Sequence, residues 1–587
     1  MSASYSLPVT DSLAHDRNFT STTHSSVPTE EQRLIKLSSA TDDKNILVDG
    51  RDQLETGSDP ELLRMLQVSD DELVGDLTYE QLSLYEKKSV LINRELDKMN
   101  TFGSAGLGRY QWCIFLLCGF GYFLDLAWAQ AFGLISGAIQ QELGIADSKI
   151  GDIFVAFSAG LTVGAFFWGI AADVIGRKWC FNITCAISSV AGLLFAAPSN
   201  FGALCFLISV VGLGVGGNIP LDSAIVLEFL PTNRRFLLAV LSTFQPIGVV
   251  VSCGVAYGLV PKYSCDTSLP SCQGGETPCC TKSSNMGWRY FTITLGVITF
   301  LIFVARFVLF DFQESPKFLL SKGRDEEALR VLYNIAEFNK APVPDLTLED
   351  FHALDKAAGV QNIETHDNTQ TGVKTILLKG LNNFSHLKGF FSSKRMIWLT
   401  VSLWIAYMSL FFSFSIAGGY LPLILRQKGI DTSTSISVTY RNYIIVYLPG
   451  TIATILAGVL MEIKWLGRKW AMALGAGLMG ASLFLFSAVS SVAGFVGFNL
   501  MEYFFQSLYC ALLYAFTPEA FPAPYRGTAS GIASTLGRLA STVAPFAAGS
   551  IFNPRSNGVL YMAGGAAFVS MLSVATLPFE TRGKHSF

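Results

Sequence analysis

The sequence predicts an all-α membrane protein with twelve transmembrane helices in two pseudo-symmetric bundles of six. Three observations carry that reading. Half of the 587 residues are hydrophobic and only 15% are charged, too few to cover a soluble chain of this length. Apolar runs recur from Trp112 onward, each long enough, at about 20 residues, to cross the hydrocarbon core. Two short charged patterns also return at one fixed offset along the chain.

Residues 1–108 form a polar tail rich in Ser, Thr, Asp and Glu. Its first 58 residues have the composition of a disordered segment, too poor in apolar groups to offset the entropy of ordering. SDPELLRMLQ and TYEQLSLYEKKSVLINRELDKM instead space apolar residues as amphipathic helices do. The start has no basic, apolar and small-residue succession of a cleaved leader, which places the N-terminus in the cytoplasm. The first bundle, residues 109–310, holds spans at 111–138, 151–171, 178–197, 201–223, 237–260 and 288–310. A polar cytoplasmic loop, 311–395, follows and contains DEEALRVLYNIAEF, an amphipathic helix by its spacing. The second bundle, 396–578, holds spans at 397–422, 440–461, 470–490, 492–516, 528–552 and 558–577, before a short cytoplasmic tail at 579–587. Basic residues then gather on the inner side, at Arg177, Lys178, Arg234, Arg235, Lys464, Arg468, Lys469, Arg526, Arg582 and Lys584, as the positive-inside bias requires. The loop with Arg426, Lys428 and Arg441 runs against it.

The two halves repeat. GRKW stands at 176–179 and again at 467–470, an offset of 291. E-x-x-P-x-x-x-R occurs as Glu228, Pro231, Arg235 and as Glu519, Pro522, Arg526, again 291 apart. Two patterns at one offset, each in the corresponding inner loop, mark a duplicated unit. Parallel six-span repeats about an axis along the membrane normal put a solute site at the midplane between halves.

WGIAADVIGRKW, with Gly169, Asp173, Gly176, Arg177 and Lys178, resembles the loop signature of the major facilitator superfamily. ESPKFLLSKGR and PFETRG resemble the sugar-porter endings of its two halves. GGNIPLDSAIVLEFLPTNRR and TPEAFPAPYRGTASGIASTLGRLASTVAP look like the branch that holds synaptic-vesicle-protein relatives, organic-ion transporters and nicotinate permeases. The resemblance covers 109–583 and points to a fungal-type transporter; it departs at Lys464, which takes the place equivalent to Asp173, and in the long tail. It implies conformational gate roles for Gly169, Asp173, Gly176, Arg177, Lys178, Asp222, Glu228, Arg234, Arg235 and Glu314, and in the second half for Gly467, Arg468, Lys469, Glu519, Arg526 and Glu580. Charges at cytoplasmic helix junctions pair with one another or with helix ends, and such pairs break and remake as the halves move.

Ionisable groups inside spans point to the solute path, because each costs about 3 kcal/mol or more at the bilayer centre. Asp125 lies near the midplane of the first span, Glu502 in the tenth, Arg538 in the eleventh and Asp222 at the inner end of the fourth. Arg538 offers a permanently charged, bidentate fork to a carboxylate. It also matches the intramembrane arginine of the organic-ion branch, which implies anion recognition. Glu502 on the preceding span is its candidate structural partner, and Asp125 is the candidate proton carrier. Gln130, Asn218, Gln245 and Gln506 are candidate solute contacts, with Asn499, Tyr503 and Trp128 beside them; each also suits an interhelical hydrogen bond.

Cys265, Cys272, Cys279 and Cys280 crowd the fifth-to-sixth loop, placed outside, where two disulfides suit an oxidising exterior. Zinc is the alternative, but C-x6-C-x6-C-C lacks the paired spacing of a structural site. The six His lie outside the spans without metal-ligand spacing, and no P-loop is present. The reading is therefore no enzyme, no cofactor and no bound metal. A net charge of −3 argues against a nucleic-acid partner. The expected partners are a small solute, protons and the lipid bilayer, with the chain a monomer. The expected function is a proton-coupled secondary transporter of a small organic solute, leaning to a nicotinate-like carboxylate, in a plasma membrane or else a vacuolar or vesicle membrane. The alternatives are a facilitator or efflux transporter for a neutral or cationic compound, or a sensor without flux.

Overall fold

A computed structural model describes residues 83–101, 106–146, 149–266, 269–272, 278–310, 312–358, 389–427, 436–487, 492–551 and 557–581, all within one compact unit, Ser69–Phe587. The expected disorder of 1–58, the helix at SDPELLRMLQ, Lys428, Arg582 and Lys584 lie outside these residues. Helices stand at all twelve predicted positions. In the first half these are α2 (Arg109–Leu143), α3 (Asp152–Val174), α4 (Arg177–Leu194), the pair α5 (Phe201–Val215) and α6 (Asn218–Phe229), the pair α7 (Leu237–Leu241) and α8 (Phe244–Tyr263), and α9 (Gly287–Val304). The second half brings α13 (Lys394–Gln427), the pair α14 (Ile436–Tyr447) and α15 (Pro449–Leu460), α16 (Gly467–Phe486), α17 (Val492–Ala520), α18 (Arg526–Ile551) and α19 (Gly558–Ala575).

Among the described residues, nine helices are long and apolar enough to cross a membrane. α4, α17 and α18 hold the other predicted positions and are more polar. α18 alone carries Arg526, Thr528, Ser530, Ser534, Thr535 and Arg538, so its faces must meet protein or water rather than lipid.

The described parts of the tail and of the central loop pack together at one end of the spans. α1 (Leu84–Thr101) realises the second predicted tail helix, and α10 (Pro316–Ser321), α11 (Asp325–Asn339) and α12 (Leu348–Ala357) come from the central loop. α1 buries Ile92, Leu96 and Met99. Its Lys88 pairs with Asp325 of α11 and, at 2.7 Å, with Asp355 of α12. Asn339 then ties α11 to the first span, accepting from the Tyr110 backbone N–H at 2.8 Å.

At the opposite end, Cys265 is joined to Cys280 and Cys272 to Cys279. Sequence spacing left this connectivity open. The loop docks on α2 through Gln141, whose amide donates to the carbonyls of Asp266 and Leu269. Beneath it, Glu142 accepts two bonds of 2.7 Å from Arg289 and one of 2.9 Å from the Trp288 indole.

The halves meet along two seams. α3 runs against α18 so closely that a Cβ on Gly169 would stand 2.8 Å from the Gly531 Cα, and Ser158 bonds Thr542 at 3.1 Å. On the second seam the Tyr440 hydroxyl of α14 donates to the Leu134 carbonyl of α2 at 2.8 Å. Thr454 meets Thr243 at 2.9 Å nearer the other end.

Candidate functional site: a central ion pair and an inner charge network

Midway along the spans, Arg538 Nη2 lies 3.2 Å from Asp125 Oδ1, joining α18 of one half to α2 of the other. Both side chains are buried. Gln245 at the head of α8 also faces the Asp125 carboxyl, and Tyr514 of α17 lies beside the pair. The structure thus brings together Asp125, Arg538 and Gln245. It does not pair Arg538 with Glu502: adjacent spans turn different faces to one another, and the arginine points across the interface instead.

Glu502 and Gln506 lie one turn apart on one face of α17. Each has a buried side-chain oxygen, Oε1, without a hydrogen-bond partner. Beside them the rings of Tyr503 and Tyr447, the latter from α14, meet edge-on with centroids 4.5 Å apart. Tyr122, Tyr407 and Tyr514 form a second aromatic group drawn from α2, α13 and α17. Gln130 is half-buried on α2, and Asn499 is half-buried on α17.

Other candidates find their partners within one half. Asp222 pairs with Arg306 at 3.1 Å, both fully buried inside the first bundle. Its cation comes from the same half, so this pair does not itself bridge the two halves. Asn218 donates to the Gly121 carbonyl at 3.4 Å, and Trp128 donates to Thr299 at 3.1 Å. Sequence reading missed Arg306, Arg289 and Glu142. The signal was available: an arginine inside VITFLIFVARFVLF must have a buried acceptor, and Asp222 is that acceptor.

On the inner side both halves build the same device. Gly176 and Gly467 have φ of 117° and 64°, and a Cβ on either would strike the carboxylate that caps the following helix, Glu314 or Glu580. Glu314 accepts from the N–H groups of Arg177 at 2.9 Å and Lys178 at 3.2 Å. Glu580 accepts from Arg468 at 3.0 Å and Lys469 at 2.9 Å. A carboxylate at the positive helix end is favourable, and glycine alone leaves it room. Arg177 then pairs with Glu228 at 3.0 Å and Arg468 with Glu519 at 2.6 Å.

The duplicated arginines of E-x-x-P-x-x-x-R cross over. Arg526 of the second half reaches Glu228 of the first at 3.4 Å, and Arg235 of the first lies beside Glu519 of the second. Arg177 adds a 2.8 Å bond to the Ala523 carbonyl. Asp173 accepts from the Thr528 N–H at 2.7 Å and its hydroxyl at 2.9 Å. Lys464 stands where a second Asp173 would be, so this last contact has no mirror image. Arg234 is half-buried against the backbone at Gly106.

Lys317 of α10 is buried against this network. Burial, with Arg526 and Arg235 nearby, pushes its ammonium down to about 7. Unfolded, the same lysine keeps its proton to about pH 10. Between those values the unfolded chain binds more protons, so stability rises with pH across the window. Lys317→Met is therefore expected to stabilise the protein by on the order of 3 kcal/mol at pH 6 to 7. The gain should fade as pH climbs toward 10, and thermal unfolding of both proteins across pH 6 to 10 checks it. A gain that is constant with pH would remove the titration from the account.

The sequence pattern of the Major Facilitator Superfamily matches residues 112–461. The MFS siderochrome iron transporter 1 of Ceriporiopsis subvermispora is 34% identical over 507 residues, 86% of this chain and 92% of that protein. The niacin transporter NiaP of Acinetobacter baylyi is 25% identical over 452 residues, 77% of this chain and 89% of its own. Among solved structures, the proton:xylose symporter XylE bound to 6-bromo-6-deoxy-D-glucose superposes with a TM-score of 0.61 at 17% identity, covering 81% of this chain and 97% of that one.

Proposed function

The chain belongs to the major facilitator superfamily and is a multi-pass membrane transporter of small solutes, and from that premise we propose that it is a proton-coupled symporter of a small organic carboxylate. The cross-half pair of Arg538 and Asp125 carries this reading. With no solute present, the two charges neutralise each other. A proton delivered to Asp125 releases the Arg538 guanidinium, which then takes the solute carboxylate in its place, so the loaded site is as neutral as the empty one. Charge balance matters because an uncompensated ion at this depth is costly. Only these two compensated states let the halves rock about the site. Binding of a carboxylate and of a proton are thereby one event.

A second reading rests on Glu502, whose buried Oε1 lacks a partner among the described residues and lies against the Tyr447 and Tyr503 rings. An ammonium group would satisfy that carboxylate and face the aromatic rings, which makes the solute cationic and Arg538 structural.

Uptake by cells expressing the chain separates the two. With labelled nicotinate, other carboxylates, amines and sugars, the symport reading expects one carboxylate to accumulate and to fall to equilibrium with a protonophore. Asp125→Asn, which fixes the neutral form, is expected to keep exchange of external for internal solute and to lose accumulation. Accumulation that persists in Asp125→Asn would sink the coupling. Uptake of an amine that disappears in Glu502→Gln but survives Arg538→Gln would replace the carboxylate by a cation.

A further inference from the structure

We propose that the cytoplasmic ends of the ninth and twelfth spans hold a binding site for an anionic phospholipid headgroup. The site is an open cavity of about 420 Å³ lined by Lys464, Trp465, Lys469, Trp470, Phe579 and Glu580, with the turn into α16 between them. It lies outside both the central pair and the seam between the halves.

Pseudo-symmetry gives the matching place in the first half a different lining. At the matching place in the first half, α10 follows directly on Glu314, and its Phe318 ring sits 4.6 Å from the Arg177 guanidinium and 3.4 Å from where a Gly176 Cβ would be. Helix α10 therefore fills that corner. In the second half the three atoms nearest a Gly467 Cβ all belong to Glu580, and the residues that follow Glu580 as α10 follows Glu314 lie beyond those described, after Thr581.

The side chains around the cavity suit a headgroup. Trp465 is 81% exposed and Trp470 54%, and exposed indoles at a helix end settle at the level of lipid headgroups. Lys464 replaces the aspartate of the first half, so an exposed cation stands where a buried gate carboxylate would be. Lys469 spends one of its donors on the Leu577 carbonyl at 2.7 Å and lies 5.5 Å over the Trp470 ring, leaving two donors for a ligand. Glu580 is the one carboxylate in the lining, and its two oxygens are committed to the Arg468 and Lys469 N–H groups. The cavity thus gathers two ammonium groups and two exposed indoles. A phosphodiester with a second anionic group meets both cations, while its acyl chains run up between the exposed apolar faces of α16 and α19.

Native mass spectrometry of the purified full-length chain in mild detergent tests this, with phosphatidylserine and phosphatidylcholine as competing probes. The parent chain is expected to retain phosphatidylserine over phosphatidylcholine by at least about fivefold, the contribution of one lysine near an anionic surface. Lys464→Glu with Lys469→Glu should abolish the preference without changing phosphatidylcholine retention, and Lys464→Glu alone, whose side chain has no bond to lose among the described residues, should already weaken it. Lys464→Arg with Lys469→Arg should keep it. Equal preference in the parent and the double glutamate variant overturns the site. So does a preference that vanishes when residues 582–587 are removed with both lysines intact, since the basic tail would then be the binder.

Discussion

Arg538→Ala is expected to destabilise the protein by about 3 kcal/mol and to abolish concentrative uptake, whereas Arg538→Ala combined with Asp125→Ala should unfold at a higher temperature than the single variant. Removing one partner of a buried pair leaves the other charge without compensation, and that penalty exceeds the net worth of the pair itself. Asp125 is 4% exposed and its cation comes from 413 residues away. Among the described residues Arg538 is the cation that pairs with it, so the orphaned carboxyl must neutralise or the halves must part to hydrate it. A double-mutant cycle on thermal unfolding reads the coupling directly, with about 1–3 kcal/mol expected for groups in contact. Additive losses would mean that the pair is incidental, and the proposed exchange of Asp125 for a solute carboxylate on Arg538 would lose its basis. Transport gives a separate signal. Arg538→Lys keeps the charge but not the fork, so it should keep much of the stability and lose most of the carboxylate affinity.

How far the sequence spoke depended on the range over which each feature is encoded. The spans follow from runs of neighbouring residues, and the duplicated device follows from two patterns at a fixed offset, so both were legible. Even the helix caps could be anticipated, because Gly176 with Glu314 and Gly467 with Glu580 occupy equivalent places. Lys464 removes the mirror image of the Asp173 contact, but the Arg–Glu pair and the capping carboxylate are present in that loop all the same. Partnership across the interface was not legible. Arg538 was paired with Glu502 by chain proximity, but the angular position of a side chain on α17 or α18 decides which neighbour it meets, and polar residues occupy several faces of both helices. The partner of Asp222, Arg306, was equally out of view, because it sits in an apolar run on another helix. The crossing of Arg526 to Glu228 belongs to the same class, since sequence showed the two motifs and not their exchange.

That exchange makes a prediction about both halves at once. Glu228 is fully buried and its Oε1 serves Arg177 at 3.0 Å and Arg526 at 3.4 Å; Glu519 serves Arg468 at 2.6 Å and has Arg235 of the other half beside it. Each glutamate therefore holds a helix end of its own half and an arginine of the opposite half. In Glu228→Gln the charge is lost while one acceptor oxygen remains, a cost of about 2 kcal/mol for a buried charge-assisted bond. Were that cost confined to the closed state, the inner seam would open about thirtyfold more often. Hydrogen exchange on the purified protein is the measurement, followed at 170–180 in the first half and at 523–531 in the second. Either Glu228→Gln or Glu519→Gln should speed exchange at both segments, because the arginines cross the seam. If each variant instead loosens only its own half, the pairs within a half carry the stability and the crossed arginines do not close the inner face. The contact between Asp173 and Thr528 sharpens the distinction, since it lies on the same seam but involves neither glutamate. Its rate of opening should follow either substitution if the network acts as one closure.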